Sequence, residues 1–393
     1  MTAREERLIR VLVAEDSAAT REYLLHVLEQ DPALQVVAVA RNGAEAVDLI
    51  GRVKPDIVLM DIHMPRMDGY EATRQIMEQS PTPVVLVSSS YDADEVAMSF
   101  EALRAGALTV VSKPAGLDHP REQESARQLT ETLRLMSEVR VVRRTHRTEA
   151  VPAMPAAEKG VGLPPASTTS QQSGSDGVGV TNSIGRLAPR VIAIGASTGG
   201  PGAIAQVLAQ FGGTLNVPVL VAQHIAPGFC QGFASWLERS ADLPVRLATD
   251  GEIACAGTVY IATDSAHLGV KAGGRLTLSA DSGLYGFCPS ATHLLHSIAT
   301  AYRAEAVGVL LTGMGKDGAT GLLDMRAAGA VTIAQDQASS VVYGMPGEAA
   351  RIGAAIHVLS PTHIGQLLVA LTSSREARTR ASAVAIGEKA GLR

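Results

Sequence analysis

Residues 191–202, which read VIAIGASTGGPG, join a β-branched apolar run to a glycine-rich turn. Such a turn can hold a phosphate, and a serine on it can act as a nucleophile. The lysine of a phosphate-binding P-loop is missing, and the dinucleotide fingerprint fits poorly because the next strand-like run ends in His224 rather than an acid. The segment Gly195–Gly199 instead fits G-x-S-x-G and makes Ser197 a candidate nucleophile. Taken alone, the pattern favours a tight turn whose serine caps the next helix.

A serine nucleophile needs a base, and the base needs an acid that orients it. His224 ends the run VPVLVAQH, and Asp317 lies in a glycine-rich turn after the run VGVLLTG. Because the carboxyl ends of parallel strands share one edge of a sheet, we expect Ser197, His224 and Asp317 to converge. Their order along the chain differs from the Ser, Asp, His order of α/β-hydrolases, which disfavours that superfamily.

Other residues compete for roles at this edge. His267 follows a further strand-like run, and His293 and His296 lie on the helix predicted for CPSATHLLHSIATAY. We favour His224 as the base because its strand neighbours that of Ser197 in the predicted sheet. The backbone N–H groups of Met314 and Gly315 are candidates for an oxyanion hole, although the glycines of this turn also suit a purely structural role.

A second set of polar residues follows strand-like runs nearer the N-terminus. Glu15 and Asp16 follow the first run, Asp61 the third, Ser88 the fourth and Lys113 the fifth. Carboxylates that meet at one edge repel each other unless a cation lies between them, and an all-oxygen ligand set favours Mg²⁺. The lysine and the hydroxyl would neutralise and bind a phosphoryl group on Asp61. Helix capping or a solvated loop explains any one of these residues more easily than all five.

The pattern of strands and helices predicts an α/β protein with two doubly wound parallel-sheet domains. Short Val/Leu/Ile-rich runs alternate with helical patterns in both halves, as buried parallel strands do. Between them the composition turns to Pro, Ala, Gly, Ser and Thr, which is typical of a flexible linker. We expect a first domain at 6–120, a helix and linker at 121–188, a second domain at 189–373 and a polar tail at 374–393.

Composition excludes several classes of protein. A chain of 393 residues with 46% apolar and 19% charged residues suits globular domains, and a net charge of −5 gives no footprint for nucleic acid. Three cysteines without metal-binding spacing fit a reducing compartment. The sequence has no secretory signal and no apolar run long enough to span a membrane. We therefore expect a soluble cytoplasmic protein that inserts in no membrane.

The segments VLVAED, VLMDIHMPRMDGYEATR, VVLVSSS and SKPAG closely resemble the receiver domain of two-component response regulators, a flavodoxin-like fold. The resemblance implies that a histidine kinase supplies a phosphoryl group to Asp61, and that Ser88 and Lys113 sense it. It also implies bound Mg²⁺, with ligands from Glu15, Asp16, Asp61 and the backbone carbonyl of His63.

The segments GASTGGPGA, AQHIAPGF, YIATDSAHL, LLTGMGKDGATGLL, TIAQD and YGMPGEA resemble the catalytic domain of chemotaxis protein-glutamate methylesterases, the CheB family. This resemblance implies a Rossmann-like domain that needs no cofactor and hydrolyses γ-glutamyl methyl esters on the cytoplasmic helices of chemoreceptors, releasing methanol. Some members also deamidate receptor glutamines. Ser197, His224 and Asp317 fall on the triad positions of the family, and the unphosphorylated receiver is expected to cover the cleft.

The chain departs from both family patterns at a few positions. Receivers usually carry Tyr or Phe where this chain has Val110, which puts switching by a rotating aromatic ring in question. The esterase family has an Arg-Pro-Ser-Val-Asp-like stretch where this chain has Cys288–Thr292, and a proline and an arginine where it has Thr263 and Ala266. These positions predict recognition of an unusual receptor.

Two other functions remain open from the sequence. In the first, the hydrolase-like domain is a non-catalytic scaffold of a phosphorylation-gated binding protein. In the second, the basic stretch Arg140–Arg147 binds DNA, although no helix-turn-helix pattern follows it.

Overall fold

The computed structural model describes residues 7–88, 99–103, 105–114, 116, 120, 122–139, 141, 189–226, 228–280 and 288–372. The predicted flexible linker and polar tail, and all but one residue of the basic stretch, lie outside these ranges. No helix within the described ranges combines the length and the apolar character that crossing a membrane requires.

The first sheet has five parallel strands in the order β2-β1-β3-β4-β5. This order is that of flavodoxin-like folds, in which ligands bind beyond the carboxyl ends of the strands. Strands β3 and β4 are buried throughout, as their unbroken apolar sequences IVLMD and VVLVS predict. The strands are β1 (Ile9–Ala14), β2 (Leu34–Ala40), β3 (Ile57–Asp61), β4 (Val84–Ser88) and β5 (Thr109–Ser112).

Three helices begin at a polar cap after a strand, a fourth begins at residue 122, and residues 99–103 are also helical. Ser17, Asn42 and Asp68 accept a hydrogen bond from the backbone N–H three residues ahead, which stabilises each first turn. Just after Asp68 the chain passes so close to β3 that a Cβ on Gly69 would lie 2.4 Å from the Asp61 carbonyl oxygen. The helices are α1 (Ala18–Glu29), α2 (Gly43–Val53), α3 (Gly69–Gln79) and α4 (Glu122–Ser137).

Helix α4 packs against the first sheet. Its Leu129, Leu133 and Met136 are buried in one cluster with Leu24 of α1 and Val85 of β4. The apolar spacing of three or four residues is the reason, because it places these side chains on one face of the helix. The segment after residue 120 therefore contributes to the core of the first domain.

The second sheet has seven parallel strands in the order β14-β13-β12-β6-β7-β9-β8. The chain leaves β6 toward β7 on one side and later returns to β12 on the other, so the switch point of the topology lies between β6 and β12. The strands are β6 (Val191–Ala196), β7 (Val219–Gln223), β8 (Val245–Leu247), β9 (Val259–Ile261), β12 (Ala306–Leu310), β13 (Val331–Gln335) and β14 (His357–Leu359).

An antiparallel hairpin, β10 (His267–Lys271) with β11 (Arg275–Ser279), lies outside this sheet. The apolar runs RVIAIGAS, VPVLVAQH, GTVYIA, VGVLLTG and AVTIAQD predict β6, β7, β9, β12 and β13, but no such run predicts this hairpin or the three-residue strands β8 and β14. The helices of this half are α5 (Gly200–Ala209), α6 (Cys230–Ala241), α7 (Ala291–Tyr302), α8 (Ala319–Ala327) and α9 (Met345–Arg351), and residues 361–372 are also helical.

Replacing Leu133 with Ala tests the packing of α4. Leu133 is fully buried, so the lost apolar contacts and the cavity should lower the free energy of unfolding of the first domain by about 3 kcal/mol. Leu8→Ala is the matched control, because Leu8 is 45% exposed and should change stability by less than about 0.5 kcal/mol. Chemical denaturation of the full chain measures both, and equal effects would contradict the packing of α4.

Candidate active site

Ser197 follows β6 on the turn that leads into α5. Its backbone N–H donates to the Thr312 carbonyl at 3.0 Å, and its carbonyl accepts from the Gly200 N–H at 2.7 Å. The cap of α5 is Gly199, with no side-chain hydrogen bond. Ser197 is therefore not the helix cap that its sequence pattern also allowed.

Glycines let this turn fold tightly. Gly199 has a φ of +76°, and a Cβ there would lie 2.6 Å from Val341. A Cβ on Gly313 would lie 2.7 Å from the Cβ of Ser197. Both positions exclude a larger residue for steric reasons, and Gly199 also for its backbone conformation.

His224 follows β7, the strand next to β6. Its backbone N–H donates to the carbonyl of Ala196, the residue before Ser197, at 3.0 Å. Its ring Nε2 lies 2.8 Å from Oδ2 of Asp317. The register of two neighbouring strands thus brings the predicted base beside the predicted nucleophile, and the predicted acid contacts its ring.

Asp317 lies buried in the turn between β12 and α8, and the N-terminus of α7 holds its carboxylate. The Ser290 hydroxyl donates to it at 2.9 Å, and the backbone N–H groups of Ala291 and Thr292 donate at 2.7 and 3.0 Å. Burial alone would raise the pKa of Asp317, but the hydrogen bonds and charge of His224, with those from Thr292, hold it well below its usual value. Asp317 therefore stays anionic and can stabilise an imidazolium.

The predicted oxyanion-hole residues lie on the turn after β12. Met314 is 44% exposed, and Gly315 has a φ of +83°. The carbonyl of Gly313 accepts from the N–H groups of Gly344 and Met345 at 3.1 and 2.9 Å, which anchors the start of this turn. The turn is thereby fixed beside Ser197 with its outer part open to solvent.

The other histidines take different positions from His224. His267 is fully buried, and its Nδ1 accepts from the Ser290 N–H at 3.1 Å. His293 stacks on His267 with ring centroids 5.2 Å apart. His296 is exposed and pairs with Asp324 at 2.8 Å. The ring of His224 contacts Asp317 at 2.8 Å, as the predicted pairing of base and acid requires.

Two buried glutamines that the sequence did not single out bind the backbone of this site. Gln223 Nε2 donates to the carbonyls of Ser197 and His224 at 2.8 and 2.7 Å, so one amide joins the nucleophile turn to the base. Gln335 Oε1 accepts from the Thr312 N–H at 2.8 Å, and its Nε2 donates to Ser339. Gln223 is adjacent to His224 in the sequence, but a glutamine type alone carries no signal of this contact.

Ser290 was also missed, although a signal was present. It lies near the start of the segment predicted as a helix, directly before the first helical residue, Ala291, and it accepts from the His293 N–H, as an N-cap residue does. Its second bond, to Asp317, joins residues 27 positions apart and depends on how α7 packs beside β12.

In the first domain, Glu15, Asp16 and Asp61 do converge, with one carboxylate oxygen from each within 4.8 Å of the others. Lys113 Nζ lies 2.8 Å from Glu15 and 3.0 Å from Asp61. Burial and the charge of Glu15 raise the pKa of Asp61 to about 6, although Lys113 acts in the opposite direction. The cluster is thus short of positive charge.

Mg²⁺ fits this donor set. The side chains offer only oxygen, and one of the acids is exposed. Besides burial, the charge of Glu15 raises the pKa of Asp61, and a divalent cation would relieve that repulsion. His63, whose carbonyl is the further predicted ligand, lies two residues beyond Asp61. Ser88 is buried at the end of β4, and its carbonyl accepts from the Lys113 N–H at 2.8 Å.

Arg21 is a further residue that the sequence did not single out. Its guanidinium donates to the carbonyls of Glu15 and Asp16 at 2.9 and 3.0 Å, which fixes the turn that carries both acids. Val110 lies half-buried on β5.

Comparison with known proteins identifies a family for each half of the chain. The model of the CheB methylesterase family matches residues 192–368, and that of the response regulator receiver domain matches residues 11–123. A protein-glutamate methylesterase/protein-glutamine glutaminase of Syntrophus aciditrophicus is 44% identical over 372 residues, covering 93% of this chain and 99% of the relative. The chain belongs to the CheB methylesterase family. A member from Nitrosospira multiformis is 42% identical over 369 residues, covering 94% of this chain and 98% of its own.

Solved structures of the family match each half separately. The CheB methylesterase catalytic domain of Thermotoga maritima is 34% identical and covers 47% of this chain and all of its own, with a TM-score of 0.45. The response regulator domain of CheB from the same organism is 40% identical and covers 34% of this chain and 99% of its own, with a TM-score of 0.31.

Replacing Gln223 with Leu tests the link between the nucleophile turn and the base. We expect kcat for ester hydrolysis to fall by roughly tenfold or more, because small errors of alignment are costly, while KM changes little. Stability should change less, because Gln223 Oε1 is a buried acceptor without a partner in the described chain, and its removal offsets the lost donors.

Gln335→Leu is the matched control, since Gln335 is equally buried but both ends of its amide are bonded. It should cost more stability and less kcat than Gln223→Leu. Steady-state kinetics and thermal unfolding measure the two effects, and the reverse order would contradict the role of Gln223.

Proposed function

We propose that this chain is a protein-glutamate methylesterase of the cytoplasm that hydrolyses γ-glutamyl methyl esters on chemoreceptor helices and releases methanol. The observation that carries the proposal is the 2.8 Å contact of His224 with a buried, anionic Asp317 beside Ser197, at the switch point of the second sheet. The two relatives are also protein-glutamine glutaminases, so we extend the proposal to deamidation of receptor glutamines by the same residues.

His224 acts as the base through one particular nitrogen. Because Nε2 faces Asp317, Nδ1 is the nitrogen that takes the proton from the Ser197 hydroxyl. The Ser197 oxygen then bonds to the ester carbonyl carbon, and backbone N–H groups of Met314 and Gly315 stabilise the oxyanion. His224 returns the proton to the departing methoxide, which leaves as methanol. Water, deprotonated by the same nitrogen, cleaves the acyl-enzyme and restores Ser197.

Control of this activity is assigned to the receiver. A histidine kinase supplies the phosphoryl group, which the Asp61 carboxylate accepts through a new O–P bond as the donor imidazole leaves. Glu15, Asp16, Asp61 and the carbonyl of His63 would hold Mg²⁺, which neutralises phosphoryl oxygens when it is bound. Lys113, already in contact with Asp61, would pair with the phosphoryl group, and the Ser88 hydroxyl would bind it.

An aromatic contact offers the receiver a route to the catalytic half. The ring of Phe100 lies 5.2 Å from that of Trp236 and 5.4 Å from that of Phe233, both on α6. Helix α6 begins six residues after His224. Since Val110 lacks the ring that many receivers rotate, we assign the coupling to Phe100, with the unphosphorylated receiver favouring a closed cleft.

A non-catalytic scaffold is the competing function. A scaffold does not require the hydrogen bond between His224 and Asp317, nor the four further donors that bind the Asp317 carboxylate. Release of methanol from methylated receptors separates the two functions directly.

Replacing Ser197 with Ala removes the proposed nucleophile. We expect the rate of methanol release from methylated chemoreceptor membranes to fall on the order of 10³-fold or more, with thermal stability unchanged. Ser137→Ala on α4 serves as the control and should keep full activity. Near-normal demethylation by the Ser197 variant would overturn the triad assignment.

Replacing Asp61 with Asn removes the proposed phospho-acceptor. A small acyl phosphate with Mg²⁺ should stimulate the natural protein but not this variant, and chelation of Mg²⁺ should abolish the stimulation. Asp48→Asn, on the exposed side of α2, should respond as the natural protein does. Equal stimulation of both variants would exclude Asp61 as the switch.

A further inference from the structure

His267 is a buried titratable residue that the proposed reaction does not use. It begins β10 and has no exposed surface. Its Nδ1 accepts a hydrogen bond from the Ser290 N–H at 3.1 Å. An imidazole nitrogen accepts a hydrogen bond only when it carries no proton, so this contact requires the ring form with its proton on Nε2.

The residue that His267 binds is the cap of the helix that holds the triad acid. The Ser290 hydroxyl donates to Asp317 at 2.9 Å and accepts from the His293 N–H at 3.3 Å. The next two N–H groups of the chain, from Ala291 and Thr292, also donate to Asp317. A shift of Ser290 would therefore move three of the donors to the carboxylate together.

We propose that His267 is a positioning residue for catalysis, which fixes the N-terminus of α7, and through it the Asp317 carboxylate, by accepting the Ser290 N–H. The proposal rests on the function proposed above. It also accounts for the location of the hairpin strand β10, which places an acceptor where the backbone of Ser290 would otherwise bury a donor.

The ring of His267 packs against a histidine of α7. It stacks on His293 with ring centroids 5.2 Å apart, and burial lowers the pKa of His293. His296 pairs with Asp324 on the exposed side of α7. A proton on Nδ1 of His267 would replace an acceptor with a donor and face the Ser290 N–H directly.

The geometry of substitution provides a sharp test. In asparagine, the side-chain Oδ1 occupies a position close to Nδ1 of histidine, so His267→Asn keeps an acceptor for Ser290. His267→Leu fills similar space without one, and His267→Gln carries its acceptor one bond farther out. The full chain is used, stimulated by an acyl phosphate, with methanol release from methylated receptors as the assay.

We expect His267→Leu to lower kcat by about 10- to 100-fold at nearly constant KM, because a misaligned acid affects the reaction and not substrate binding. His267→Asn should retain kcat within about threefold. His296→Leu is the matched control, because His296 is an exposed histidine of α7, and it should leave kcat and KM unchanged. The deshielded proton between His224 and Asp317, followed by NMR at acidic pH, should be lost or shifted in the Leu variant and kept in the Asn variant.

Equal kcat for His267→Leu and the natural protein, or equal losses in the Leu and Asn variants, would overturn the proposal. If the Leu variant does not fold, the same comparison is made between the Gln and Asn variants. Retained activity of Ser197→Ala would instead defeat the proposed function itself, so the two failures are distinct.

Discussion

The catalytic half of the molecule depends on one buried carboxylate. Asp317 is removed from water, where an isolated anion would be strongly disfavoured, and the protein compensates with hydrogen bonds from the start of α7 and from His224. A helix N-terminus is suited to this task because its first N–H groups lack partners within the helix. The same bonds that make the charge tolerable also fix its direction. One set of hydrogen bonds therefore offsets the free-energy cost of burying the charge and also fixes the orientation of the carboxylate.

Both halves of the chain place their chemistry at the same kind of location but solve opposite electrostatic problems. In the receiver, acids converge with too little positive charge, and burial together with the charge of Glu15 raises the pKa of Asp61. In the esterase half, the acid is already satisfied by donors, and its lowered pKa keeps it ionised without a metal ion. Parallel strands that end at a common edge serve both purposes.

The sequence predicts where both sites lie, because polar residues that directly follow apolar strands indicate the edge of the sheet at which the site forms. The convergence of Glu15, Asp16 and Asp61 is confirmed, and the parallel sheets are as expected. His224 and Asp317 meet as their strand positions predict, while the roles of the triad residues stay a prediction. The local sequence pattern is sufficient to predict that two residues meet when the register of neighbouring strands alone sets the distance between them.

The supporting residues are predictable only in part. The Ser290 cap has a local signature, but its bond to Asp317 depends on a helix packed beside another strand. Gln223 and His267 act through backbone groups distant in the chain, and their residue types occur in many other roles. Strands of three residues, such as β8 and β14, contain too few positions to show a period. Non-local hydrogen bonding leaves no trace in sequence spacing.

The crowded glycines around the site have a consequence for how such an enzyme diversifies. A Cβ on Gly195, Gly318 or Gly321 would come within 3.1 Å of α7 atoms that support the acid. These positions therefore tolerate almost no added side-chain volume. Ala266 is half-buried and Cys288 is exposed, so neither is confined in the same way. Diversification of such an enzyme is thus expected to spare the glycines around its acid and to fall on exposed positions.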